Sequence, residues 1–141
     1  MKDLELACRI WREEKLNLVV VKKGQVLVSS SDGGIYPLFQ TVLDKGGSLT
    51  GAAVADRIVG SAAAMLCLYA GVASAYAGTA SQKALDLLKE QGVDVASDSV
   101  VPYILNHDGT DLCPFEKLAQ NISNPAQLFS ALESFFAGGD R

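Results

Sequence analysis

Few side chains in this sequence are equipped for chemistry, and the most suggestive of them form the run Cys113-Pro114-Phe115-Glu116. A proline directly after a candidate cap marks the first turn of a helix, and helix N-termini favour thiolates. Cysteine caps helices less well than Ser, Thr, Asp or Asn, so a thiol here is unexpected on structural grounds alone. Glu116, at the third helical position, is spaced to reach back to the Cys113 backbone amide as in a capping box, where its charge would oppose a thiolate. Cys113 is therefore either a reactive, ligand-contacting thiol or a buried inert one. His107, the sole histidine, lies in the polar loop NHDGTD upstream of it, as a solvated surface residue or a base.

Asp56-Arg57 is the second pair that could serve a site. A helix starting there would be capped by Asp56, which would meet the positive end of its dipole. In a cleft, Asp56 would instead face a ligand, with Arg57 as an anion contact. Gly33 and Gly34, together with Ser30 and Asp32, form either a backbone nest for an anion or a turn.

Other chemistries are excluded by what is missing. Gly46 and Gly51 have the separation of a phosphate-cradling loop, but Ala52 and Ala53 stand where it needs lysine and a hydroxyl. There is no Gly-x-Ser-x-Gly elbow, dinucleotide fingerprint or His-Glu-x-x-His. One histidine and three scattered cysteines, Cys8, Cys67 and Cys113, leave no ligand set for a metal, and no cofactor is expected. The net charge of -4 opposes a surface built to neutralise nucleic-acid phosphates. Three cysteines cannot all pair within one chain, and no cationic start precedes an apolar run, so reduced thiols in the cytoplasm are expected. The uncharged run from Ile58 to Gln82 is long enough for a membrane span, but Ala, Gly and Ser dominate it and no membrane insertion is expected.

These residues need elements to hold them, and 141 residues suit one domain, 1–141. The opening segment aligns Leu4, Ala7, Cys8 and Trp11 on one helical stripe. Two β-rich runs near 17–22 and 26–30 flank Lys23-Gly24, a tight-turn signal. Pro37 opens a helix that carries Leu38, Val42 and Leu43 inward and stops at Gly46-Gly47. A short strand at 52–55 leads to a helix from about Asp56 to Tyr69, whose small residues allow close approach to a sheet. VASAYAG reads as a strand, SQKALDLLKEQG as an amphipathic helix, and 93–105 as one or two strands. Helices begin near Pro114 and at Asn124-Pro125, the second burying Leu128, Leu132 and Phe135. Strands alternating with helices imply a three-layer α/β/α sandwich with a mixed sheet.

GIYPL at 34–38, ADRIVGSAAA at 55–64 and LCPFEKL at 112–118, with this element order, resemble a bacterial and archaeal family of unknown function in the cytidine deaminase-like superfamily. The resemblance covers nearly the whole chain and implies a cytidine deaminase-like fold. Deaminases of that superfamily carry a zinc ligand, alanine and a glutamate at the central helix, then Pro-Cys-x-x-Cys at the next. Val54-Ala55-Asp56 is matched to the first motif and AGTASQ to the second, so both ligand positions lack a metal-binding side chain and hydrolytic deamination by activated water is rejected. Two readings remain. One is a metal-free site for a small molecule, nucleoside- or nucleobase-like by fold analogy, lined by Asp56, Cys113, Glu116 and the Gly33-Gly34 loop. The other is a non-catalytic homodimeric module in which the same residues are caps and packing. Purified protein is expected to hold no stoichiometric zinc, and elemental analysis finding one tightly held zinc per chain would overturn that expectation.

Overall fold

Short apolar runs between amphipathic segments build a five-stranded sheet with helices on both faces, and the computed structural model describes residues 2–138. Helix α1 (Lys2–Glu13) leads into a hairpin of β1 (Leu18–Lys22) and β2 (Gln25–Ser30). Then come α2 (Tyr36–Lys45), a 3-10 helix (Gly46–Leu49), β3 (Ala53–Val59), α3 (Ser61–Ala70), β4 (Ser74–Ser81) and α4 (Gln82–Glu90). β5 (Asp94–Val101), α5 (Pro114–Ala119) and α6 (Pro125–Ala137) complete the order. The strands lie as β2-β1-β3-β4-β5, with β1 antiparallel to both neighbours and β3, β4 and β5 parallel. This is the expected three-layer α/β/α arrangement with a mixed sheet.

The hairpin follows from its turn. Lys23 and Gly24 both take left-handed backbone, φ 51° and 77°, the conformation whose twist matches the flanking strands. The Asp3 carboxylate of α1 accepts both of their amides at 2.9 Å, tying the turn to the first helix.

Alternation along β1 and β3 divides the core. Val19, Val21 and Ala55 pack under α1 with Ala7 and Trp11, while Leu18, Val20 and Val54 face the opposite helical layer. Cys8 is half-buried beside the first cluster and Cys67 fully buried in the second. Within α2 the inward residues are Leu38, Phe39 and Val42; Leu43, expected inward, is 46% exposed because it lies a further 100° around the helix.

Helix α3 is the centre of the second layer. It packs against β3, α2, α4, α5 and α6, and from Ser61 to Cys67 every residue is buried. Its alanines bring it close to these neighbours. The uncharged run 58–82 thus divides among β3, α3, β4 and the start of α4, and no helix among the described residues is long and apolar enough to cross a membrane.

One boundary changes the reading of a candidate residue. The strand expected at 52–55 extends to Val59, and α3 starts after Gly60 rather than at Asp56. A strand paired on both edges and covered on both faces favours extended backbone through the charged pair, overriding the cap signal. Asp56 consequently lies inside β3, paired with Leu18 on one side and Ala77 on the other, and is only 4% exposed.

Burial pushes the Asp56 carboxyl up to about 7, against the pull of the Arg57 and Ile58 backbone amides and the Arg57 charge. The Cys67 thiol, also raised by burial and by the Asp56 charge, reaches about 12 and stays protonated. Because the folded carboxyl holds its proton above the ordinary 3.8, its contribution is complete below pH 4 and is lost as pH rises to about 7. A gap of that size corresponds to about 4 kcal/mol. Urea unfolding of the native protein should therefore show stability falling between pH 4 and 7 and levelling above. Asp56→Asn should flatten that slope, and an unchanged slope would assign it to other groups. The lowered carboxyls, Asp98 and Asp111, act with opposite sign and below this window.

Candidate functional site

The N-terminus of α3 emerges from the carboxyl end of β3 through Gly60, which offers no side chain to cap it. The amides of Ser61 and Ala62 would otherwise be orphaned in a mostly buried place. Glu116, from α5, supplies the acceptors: Oε1 receives the Ser61 amide at 2.8 Å and Oε2 the Ala62 amide at 3.1 Å. A negative carboxylate on two free amides also meets the positive end of the helix dipole. The bare Gly60 is what admits it, since a Cβ there would lie 2.5 Å from the Glu116 carboxyl carbon.

This corrects the expected capping box. Glu116 does not turn back on Cys113, whose amide instead donates to the Ile104 carbonyl at 3.0 Å. The Cys113 carbonyl accepts the amides of Glu116 and Lys117 at 2.9 and 3.1 Å, opening α5, while its thiol makes no capping bond. Cys113 therefore caps with its backbone alone, leaving its half-buried side chain three residues from the carboxylate that closes α3.

Aromatic packing sets α5 in place. Phe115 meets Phe135 and Phe136 of α6 at centroid distances of 5.2 and 5.8 Å, and Phe136 meets Tyr36 of α2 at 4.8 Å. The loop before α5 is closed by a bridge between Leu105 and Leu112 and an ion pair between Asp111 and Lys117. His107 sits in that loop, exposed, and none of the hydrogen bonds or ion pairs described joins it to Cys113.

Gly33 and Gly34 are exposed in the loop between β2 and α2, Gly34 with left-handed backbone at φ 80°. The Ser30 hydroxyl accepts the Asp32 amide at 3.1 Å, a local turn. Tyr36 of the next segment meets Phe136 of α6, which in turn meets Phe115 of α5. Asp56 is enclosed in the core four residues ahead of Gly60, and Arg57 is exposed at the other face of the sheet. Among the described residues, no group of three or more His, Cys, Asp or Glu is placed to hold a metal.

The second face was not singled out from the sequence. There Arg57 lines a cavity of about 520 Å³ with Trp11, Arg12, Lys15, Leu16, Gly78 and Thr79. The Arg12 guanidinium bonds both Asp98 carboxylate oxygens at 2.9 and 3.2 Å, and lies 5.2 Å from the ring centroids of Trp11 and Tyr76. The Arg12 and Tyr76 bonds hold the Asp98 carboxyl below its ordinary range. Another cavity, about 470 Å³ and lined by Met65, Leu68, Val72 and Leu87 among others, lies toward the C-terminal end of α3, far along the helix from Glu116. Arg57 was legible as a charge, but the residues that line the concavity with it come from α1, β4 and the loop after α1; Gly60-Ser61 could have been found as a glycine N-cap followed by a small-residue helix.

Residues 6–136 match the model of a domain of unknown function, DUF1893. The crystal structure of a DUF1893 family protein from Thermotoga maritima is similar at 30% identity, with a TM-score of 0.85 over 94% of this chain and 89% of that one. The dCMP deaminase from cyanophage S-TIM5, in apo form, is similar at 18% identity and a TM-score of 0.46, over 71% of this chain and 92% of that one. A diaminohydroxyphosphoribosylaminopyrimidine deaminase/5-amino-6-(5-phosphoribosylamino)uracil reductase, also from Thermotoga maritima, is similar at 15% identity and a TM-score of 0.49. That likeness covers 84% of this chain and 40% of that one. None of the curated proteins matches the chain.

Removing the clamp should be measurable. Glu116→Gln, which retains one acceptor and loses the charge, is expected to cost about 1–2 kcal/mol in urea unfolding. Gly60→Ala should cost at least as much by displacing the carboxylate. Stabilities equal to the native protein for both variants would show that the clamp contributes nothing.

Proposed function

The chain belongs to the DUF1893 family, and from that premise we propose that it is a metal-free small-molecule-binding protein whose site is the α3–α5 junction, with Cys113 as its thiol. The observation that supports this most directly is the Glu116 carboxylate on the Ser61 and Ala62 amides. Each oxygen uses one acceptor direction on α3 and retains capacity for another donor. Glu116 is half-buried, so those directions are available to a small molecule bearing N–H groups, as in an amide or amino heterocycle. Cys113 caps the same short helix three residues before Glu116, where an electrophilic centre of such a molecule would meet a sulfur nucleophile. His107 is assigned to the rim, and Asp56 to the core beneath.

The thiols differ enough to test this. Burial raises the Cys8 thiol and encloses Cys67 entirely, whereas Cys113 is half-buried at a loop–helix junction. Brief iodoacetamide treatment followed by peptide mapping should label Cys113 first, Cys8 more slowly and Cys67 last. Labelling of Cys8 ahead of Cys113 would overturn the thiol assignment. Thermal-shift screening of amide and amino heterocycles should give stabilisation that is lost in folded Cys113→Ser and Glu116→Gln proteins. Stabilisation that survives both substitutions would move the ligand elsewhere.

A second reading, a homodimer that uses these residues only for packing, is favoured by the exposed side of β5. This strand ends the sheet, and Val100, Tyr103 and Leu105 are 48%, 66% and 50% exposed along and just after it. Light scattering at micromolar concentration distinguishes the two, because a monomer would remove the dimer reading.

A further inference from the structure

The face of the sheet covered by α1 carries a second candidate, independent of the thiol. Three cations, Arg12, Lys15 and Arg57, line one concavity near the carboxyl ends of β3 and β4, in a chain whose net charge is -4. Among the hydrogen bonds and ion pairs described, the carboxylate joined to these cations is Asp98, whose two oxygens are held by Arg12 and whose Oδ1 also accepts the Tyr76 hydroxyl at 2.6 Å. Arg57 and Lys15 are exposed, and the ion pairs described include neither. Like charges gathered in one concavity repel each other, and a multiply charged anion between them converts that repulsion into attraction. The floor is bare backbone at Gly78, where a Cβ would fall 2.7 Å from the Arg57 carbonyl and 3.3 Å from the Trp11 ring. Trp11 packs against that floor, and its indole N–H is tied to the Asn17 carbonyl at 3.1 Å.

We propose that this concavity binds a small oxyanion of the phosphate class, with Arg57 and Lys15 supplying exposed positive charge and Arg12 a fixed edge with spare guanidinium donors. Two of the five N–H groups of the planar Arg12 fork donate to Asp98, and the rings of Trp11 and Tyr76 restrain it. The concavity lies on the sheet face over the carboxyl-terminal halves of β3 and β4, close to the strand ends where ligands of open α/β sheets gather. The concavity is shallow and open to solvent, so the oxyanion can be free or carried by an organic molecule.

Trp11 is the sole tryptophan of the chain and lines the cavity, so its emission reads the site directly. The 141-residue protein is titrated with inorganic phosphate and with ribose 5-phosphate, with chloride as the control at equal ionic strength, following both Trp11 emission and Tm. A saturable emission change or a rise in Tm with either phosphate supports the site. Response to both assigns recognition to the phosphate group, and response to the ester alone assigns an organic phosphate. Arg57→Gln and Lys15→Gln, checked by circular dichroism, should each weaken binding tenfold or more, with Arg57→Lys retaining part of it. No response in either readout, an equal response to chloride, or unchanged affinity in both glutamine variants overturns the proposal. Cys113 labelling should be unaffected by these variants, which keeps this test separate from that of the α3–α5 junction.

Discussion

A helix whose first two turns are wholly buried cannot leave its first amides to water, and that constraint organises this protein. Helix α3 is built from alanine, serine and other small or apolar residues, so it can approach the sheet and its neighbouring helices closely. The same composition gives it no side chain with which to cap itself. Its C-terminus is closed locally by Gly71, whose left-handed backbone lets its amide bond the Cys67 and Leu68 carbonyls. Its N-terminus is closed at long range by Glu116, and α5 must be placed accurately for that bond to form.

That placement draws on the chain's whole complement of phenylalanine. Phe39, Phe115, Phe129, Phe135 and Phe136, joined by Tyr36 and Tyr69, form a connected set of ring contacts linking α2, α3, α5 and α6. Aromatic pairs contribute both buried area and preferred geometry, so such a set fixes the angle at which α5 meets α3. Cys113 inherits its position from this packing. The chemistry proposed at the junction therefore rests on a hydrophobic cluster that has no chemistry of its own.

The two faces of the sheet are organised differently. On the α3 face burial disfavours ionisation of the Asp56 carboxyl and of the Cys67 thiol, and the Asp56 charge raises Cys67 further. On the α1 face the charges are exposed and reach across elements: Arg12 spans α1 to β5 through Asp98, and Arg57 comes up from β3 beside them. The first pattern resists charge, and the second collects it.

The element order, the Lys23-Gly24 hairpin, the buried central helix and the lack of metal-binding signatures were legible in the sequence, because periodicity, turn residues and missing side chains are local properties. The start of α3 was misplaced for a related reason. Asp56-Arg57 looks locally like a cap, and only pairing with β1 and β4 makes it strand. Glu116 shows the limit most clearly: its spacing from Cys113 matches a local capping box, yet its partners lie 55 and 54 residues away. A side chain's hydrogen-bond capacity is written in its type. Which free amides it meets depends on how distant elements pack, and here the absence of a Cβ at Gly60 together with the ring contacts of Phe115 decided it.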